Sequence, residues 1–250
     1  MTMIVTRNYI DKAKEKFYEI VADKNLLNRK IIIKSRILTP EEAIGNPDRT
    51  DFPILVGKER IMEAKFQGSV GHVFTDMPGD YKDTLKNILN KKLKNNFHRA
   101  VLIASMNAVL RSLGLIEGTV HCKNNDPEKC ADKLILWLKK NCAGKRTVAL
   151  IGFQPAFIEN LSKKFTLKVL DLNKDNIGER YGTPVFDGNQ FYKDIIRWAD
   201  IVLATGTVFT NGTIEKIAKI KPIEGIIFYG VTVSAIAKLL RLKRVCFYPK

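Results

Sequence analysis

Three things are missing from this chain, and each excludes a class of protein. No apolar run approaches the roughly 18 residues that a membrane-spanning helix needs. The four cysteines, Cys122, Cys130, Cys142 and Cys246, form no Cys-x-x-Cys pair, which argues against a secreted disulfide scaffold or a zinc ribbon. No Gly-x-Gly-x-x-Gly motif occurs, so the second glycine that lets a backbone touch a pyrophosphate is absent. Acids are also scarce, at 26 Asp+Glu against 42 Lys+Arg, for a net charge of +16 over 250 residues. Glutamine is represented only by Gln67, Gln154 and Gln190 beside many lysines, a composition that suits a thermophile. With 45% apolar and 27% charged residues, the chain can bury a substantial core and is neither disordered nor fibrous. Its first 17 residues place acids and lysines where a signal peptide would be apolar. Reduced thiols in a cytoplasm are therefore expected.

The positive charge raises the question of a polyanionic partner. The densest basic stretch, Lys86 to Arg99, sets Leu85, Ile88, Leu89 and Leu93 at helical spacing. Its lysines are then the solvated face of an amphipathic helix. Lysines are spread over nearly every other segment as well, which argues against nucleic acid, because patch and motif should coincide in a true binder.

The chain divides near Asn141–Arg146, giving expected domains of 1–143 and 144–250. The first is mixed α+β. Residues 7–27 carry Ile10, Ala13, Phe17, Ile20, Val21 and Leu27 on one helical side. Ile31–Leu38 reads as a strand ended by Thr39-Pro40, and Ala64–Thr75 as a hairpin broken by Gly68 and Gly71. Helices follow over 80–94 and 99–113, the second apolar on most sides, and over 127–141 with Asp126-Pro127 at its start. After Lys145 short apolar runs alternate with helices. Strands are expected at 148–152, 167–171, 201–205, 225–230 and 244–248, and helices at 155–165, before 198, at 213–219 and at 232–240. That rhythm implies a parallel sheet covered on both faces, an α/β fold. Ligands of such sheets sit beyond the carboxyl ends of the strands, where strand order reverses.

The turns at that edge hold the candidate chemistry. Thr205-Gly-Thr-Val-Phe-Thr-Asn-Gly-Thr213 ends one strand. Gly206 frees its backbone, Asn211 is placed to cap a helix near Thr213, and Thr205, Thr207 and Thr213 supply hydroxyls suited to a phosphate, carboxylate or other anion. Tyr229 ends the neighbouring strand. Asp171 ends the second strand, 19 positions after Gly152, where a nucleotide-binding fold keeps its ribose-binding acid. Around it, Asn173, Asp175 and Asn176 resemble a calcium loop, but Asn176 and Gly182 stand where a glycine and a bidentate glutamate belong. His121-Cys122 and Cys130 supply at most three soft ligands, short of zinc's usual four. Cys246 reads as a small core residue.

Several ordered motifs resemble the putative heavy-metal chelation family. They are Asp51–Glu59, Gly68-x-x-Gly71-x-x-Phe74-Thr75, Ala104-x-x-Asn107-Ala-Val-Leu-Arg111, Thr119–Ala131, Gly152-x-Gln-Pro155, Asp171–Gly178, Trp198–Asp200, Thr205–Thr213 and Phe228–Gly230. The resemblance implies an enolase N-terminal-like domain followed by a Rossmann-like domain, enclosing a cleft in a molecule that is often dimeric. It further implies a role in metal handling or chelator chemistry. Carried over by residue, Asn107, His121 and Cys122 form one wall. Gln154, Asp171, Asn173, Asp175, Asn176, Thr207, Asn211 and Tyr229 form the other, and Asp171 and Asp175 are its candidate general bases. The expected partner is a small polar, anionic or metal-chelating molecule. The alternatives are a nucleotide- or S-adenosylmethionine-dependent transferase and a basic nucleic-acid-binding protein. No cofactor, resident metal or reaction is named by the sequence.

Overall fold

The computed structural model describes residues 8–35, 40–56 and 60–250. Helix α1 (Tyr9–Asp23) is amphipathic, burying Ile10, Ala13, Phe17 and Val21, and Asn8 caps it by accepting from the Asp11 N–H at 2.8 Å. There follow β1 (Lys30–Ser35), α2 (Pro40–Ile44), α3 (Pro53–Val56), β2 (Arg60–Phe66), β3 (Ser69–Thr75) and β4 (Tyr81–Thr84). The strands pair antiparallel in the order β3-β2-β1-β4. Helices α4 (Leu85–Asn90), α5 (Asn96–Ser112) and α6 (Asp126–Asn141) complete this part. Every residue of α5 from Ala100 to Leu110 is buried, because the helix is apolar on all sides and is enclosed on all sides. Part of the strand expected at 31–38, the Thr39 that ends it, and Gly57–Glu59 of the Asp51 motif lie outside the described residues.

The second sheet is built from β5 (Thr147–Ile151), β6 (Thr166–Asp171), β7 (Gly178–Arg180), β8 (Thr183–Asp187), β9 (Ile201–Thr205), β10 (Ile226–Tyr229) and β11 (Lys243–Val245). Between them run α7 (Pro155–Ser162), α8 (Tyr192–Trp198), α9 (Thr207–Thr210), α10 (Ile214–Ile217) and α11 (Ser234–Leu240). Strand order is β11-β10-β9-β5-β6-β8-β7, parallel except for the edge strand β7. Period-2 alternation sends Val148, Leu150, Val169, Leu203 and Ile227 to one face, against α6 and α7. Ala149, Leu170, Val202, Ala204 and Phe228 go to the other, against α8 to α11. That second core continues without a break into Phe17, Met62 and α5. The fold is thus mixed α/β, as expected. The chain leaves β5 toward β6 and later returns to its other side through β9, so strand order reverses between β5 and β9.

Four local expectations need correction. Residues 80–94 are not one helix: Tyr81–Thr84 pairs with β1, α4 stops at Asn90, and Asn95 caps a new helix by accepting from the His98 N–H at 3.0 Å. The basic stretch Lys86–Arg99 is therefore split between a short helix, a loop and the start of α5. Helix α6 begins at Asp126, with Asn125 rather than Asp126 in the cap position. The short helix expected at 213–219 is the single turn α10, and a further turn, α9, precedes it at Thr207–Thr210, where none was expected. The β7–β8 hairpin, short and mostly exposed, had no apolar run to announce it.

Candidate functional site

The carboxyl ends of β5, β6, β9 and β10 carry two adjoining cavities of about 140 and 310 Å³, which share Phe74, Gly152, Thr205 and Thr207. They lie at the reversal of strand order, where an open parallel sheet leaves a crevice. Gly152 adopts φ +99°, and a Cβ there would sit 2.7 Å from Thr205 Cγ2 and 2.9 Å from the Tyr229 hydroxyl. The Tyr229 hydroxyl donates to the carbonyls of Ile151 and Gly152, at 3.0 and 3.1 Å. It holds the β5 turn against β10. Gln154 caps α7, its Oε1 accepting from the Phe157 N–H at 2.6 Å, and Phe157 packs on Tyr229 with ring centres 5.1 Å apart.

The opposite wall comes from the antiparallel sheet. Phe74 meets His121 edge-on at 5.3 Å, and its N–H donates to Thr232 Oγ1 at 3.0 Å. His121 donates its backbone N–H to His72 Nδ1 at 3.2 Å. A backbone N–H can only donate, so the Nδ1 lone pair is the acceptor and the His72 proton sits on Nε2, 3.3 Å from Glu63 Oε2. That hydrogen bond, aided by Lys65 and opposed by burial, holds the Glu63 carboxyl down at about 2, against an ordinary value of 4.5. A depressed carboxylate contributes stability in full above pH 4.5 and loses it as pH falls through 2. Because Glu63 is partly solvated, the contribution is roughly 1–2 kcal/mol. Urea melts of Glu63→Gln against wild type should therefore differ by that amount at pH 7 and converge near pH 2. A gap that persists unchanged at pH 2 would refute the pairing.

Of the residues singled out by sequence, His121, Cys122, Gln154, Thr205, Gly206, Thr207 and Tyr229 line the smaller cavity. Asp171, Asn173, Asn211 and Thr213 line the larger, together with Thr205 and Thr207. Asn107 lines neither. It is fully buried and donates through Nδ2 to the carbonyls of His72, Val231 and Thr232. Asp175 and Asn176 also stay outside both cavities, Asp175 being exposed on the surface. Asn176 instead donates its side-chain amide to Asp171 Oδ1 at 3.1 Å. Asp171 accepts from the Phe153 N–H at 2.7 Å and the Asn173 N–H at 2.8 Å as well. With those donors its carboxylate ties the β5 and β6 turns together. Thr207 donates its hydroxyl to Thr205 Oγ1 at 2.9 Å, and Asn211 Oδ1 accepts from the Thr213 N–H and hydroxyl at 3.0 and 2.7 Å.

Sequence reasoning did not foresee Thr210, Lys216, Phe52, Phe153, Phe157 or Cys246 as wall residues. Phe52 belongs to the segment 45–56, which Arg49 holds against α6 and α7 through Glu128, at 2.9 Å, and Glu159. Cys246 is only half-buried and faces the smaller cavity with Cys122 and Cys130, so it is not the packed core residue expected. Burial pushes the Cys122 thiol up to about 12 and Cys130 to about 11. A metal needs the thiolate. No three His, Cys, Asp or Glu side chains among the described residues are placed to hold one metal ion. The donor set does not fit a bare heavy metal.

Residues 137–245 match a family model described as putative heavy-metal chelation. No curated protein matches the sequence. A crystal structure of a protein of unknown function from Pyrococcus horikoshii, of that same family, aligns with a TM-score of 0.58 and 15% identity, covering 94% of this chain and 83% of its own. At such identity the likeness is one of fold. A second member of unknown function, from Desulfitobacterium hafniense, aligns at 0.48 and 12%, covering 91% of this chain and 83% of its own. Among the described residues no helix is long and apolar enough to cross a membrane. Over residues 137–245, then, the chain matches the putative heavy-metal chelation family, as its motifs predict.

Proposed function

We propose that the cleft between the carboxyl edge of the parallel sheet and the Phe74–His121 wall binds a small polar, anionic or metal-chelating molecule. The chain would act in heavy-metal or chelator metabolism through that molecule rather than by ligating a bare ion. In this reading residues 1–143 and 144–250 are the two lobes of the cleft, in a cytoplasmic homodimer.

The observation that carries the reading is Thr210. It is 1% exposed, lines the larger cavity, and its Oγ1 has no hydrogen-bond partner among the described residues. Buried hydroxyls are nearly always paired, and an orphan at a cavity wall is a group that a ligand would satisfy. Asn211 lies one residue on, and no hydrogen bond occupies its amide nitrogen among the described residues.

Gentle purification followed by mass spectrometry and elemental analysis should recover an organic molecule in near-stoichiometric amount. Asn211→Ala should lose it while its melting temperature stays within about 2 °C of wild type. A thermal-shift series with citrate, inorganic phosphate, ATP, NAD and S-adenosylmethionine extends the test, since a ligand at about 100 times its Kd adds about 2.7 kcal/mol. Stoichiometric metal with no organic molecule, or retention unchanged in Asn211→Ala, would refute the proposal.

A further inference from the structure

We infer that the molecule bound in this cleft has two unlike parts: a single aromatic ring seated in the smaller cavity, and an acceptor-rich anionic group seated in the larger. The inference rests on the cleft being a ligand site, as proposed above, and names the class of compound it takes.

Size and lining set the ring. The smaller cavity, about 140 Å³, is close to the roughly 150 Å³ that accommodates benzene in a protein interior. Its walls include the rings of Phe52, Phe74, Phe153, Phe157, Tyr229 and His121, and among the described residues no Lys, Arg, Asp or Glu lines it. Such walls favour edge-to-face and offset contacts with another ring and penalise a buried charge. The thiols that complete the lining are held protonated by burial, so they offer a soft neutral surface that also suits an aromatic ring.

Free donors set the other part. In the larger cavity Asp171 accepts from three donors, and Asp76 accepts through Oδ1 from Asn96 at 2.7 Å. The Thr210 hydroxyl, the Asn211 amide nitrogen and the Lys216 ammonium have no partner among the described residues. Three unspent donors on one cavity suit a carboxylate or phosphate. Thr205 and Thr207 line both cavities, so one short linker reaches from ring to anion.

Titration of the isotope-labelled full chain by NMR tests this with toluene, inorganic phosphate, 3-phenylpropionate and benzylphosphonate. Toluene should shift the amides of Cys122, Phe157 and Val231, and phosphate those of Thr207 to Thr213. A linked compound should shift both sets and bind about tenfold or more tightly than either part. The better of the two linked compounds identifies carboxylate or phosphate as the anion. Asn211→Ala should weaken phosphate and the linked compounds but not toluene. Cys122→Leu should do the reverse, and competition by toluene against benzylphosphonate gives the same readout without a variant. Phosphate shifting Thr207 to Thr213 while linked compounds bind no better would overturn the two-part ligand and leave the cleft proposal standing. No shift at either wall by any probe would overturn both.

Discussion

Asn107→Ala is expected to lower the unfolding free energy by roughly 3–5 kcal/mol, from several unpaired groups at about 1–3 kcal/mol each. The side chain is wholly buried in the middle of α5. Its Nδ2 donates to the His72 carbonyl at 2.9 Å and reaches those of Val231 and Thr232 at 3.2 and 3.3 Å, while its Oδ1 accepts from the Ala235 N–H at 2.8 Å. One amide thus joins β3, the turn after β10 and the first turn of α11. Truncation strands a buried N–H and several carbonyls, and leaves a void as well. Asn107→Asp separates the two effects. It keeps the volume but replaces the donor with a charge facing three carbonyls, so it should cost at least as much. Urea unfolding followed by the fluorescence of Trp137 and Trp198 measures both, as a fall in midpoint at constant slope. A loss under 1 kcal/mol for Asn107→Ala would show that the network is not holding these elements. Because His72 and Thr232 also bond His121 and Phe74, the variant should blur the wall of the smaller cavity before the fold is lost.

Asn107 also marks the limit of what the sequence reveals. A polar residue in an apolar helix reads equally as a site residue or a staple. The choice depends on partners 35, 124 and 128 residues away. The same holds for Asp171, whose place at a strand end was legible while the donors that occupy it were not. What could be read rests on short-range physics. Continuous apolar runs such as Val148–Ile151 and Ile201–Ala204 give the parallel sheet, and the sheet gives the edge where a ligand belongs. At that edge Asn211 marks the turn by a local bond from the Thr213 N–H, whereas Gly206, with an ordinary helical backbone, is required by the close approach of Val233. The aromatic lining had no such signature. Phe52, Phe74 and Phe157 come from a surface segment, a hairpin and a helix, each of which reads as ordinary packing until the fold brings them together. The basic segment failed for the opposite reason. The helical spacing of Leu85, Ile88 and Leu89 is real, but the Asn95 cap that starts α5 ends the pattern before the lysines can form one face.

Gly71→Ala should be nearly as costly as losing Asn107, at about 3 kcal/mol or more, the upper end for overpacking. A Cβ on Gly71 would lie 2.4 Å from the Ala108 nitrogen, 2.6 Å from the Ala104 carbonyl oxygen and 2.7 Å from Asn107 Cβ. Two of those neighbours are backbone of a buried helix, which cannot swing aside as a flexible side chain would. Relief requires β3 and α5 to separate, and Asn107 holds them at that spacing through the His72 carbonyl. Gly68, three residues earlier in the same hairpin, is the control. It has φ +80° and nothing within 4 Å of a built Cβ, so Gly68→Ala incurs only the left-handed strain of about 1–2 kcal/mol. At roughly 2–4 °C per kcal/mol for a chain of this size, Gly71→Ala should melt about 6–12 °C below wild type and Gly68→Ala about 2–8 °C below. Equal shifts for the two would mean that β3 and α5 move apart at little cost, so that the close approach at Gly71 is not rigidly held. The ordering expected here follows from a glycine chosen for proximity, since the β3–α5 approach that fixes the Phe74 wall is possible only where no side chain intervenes.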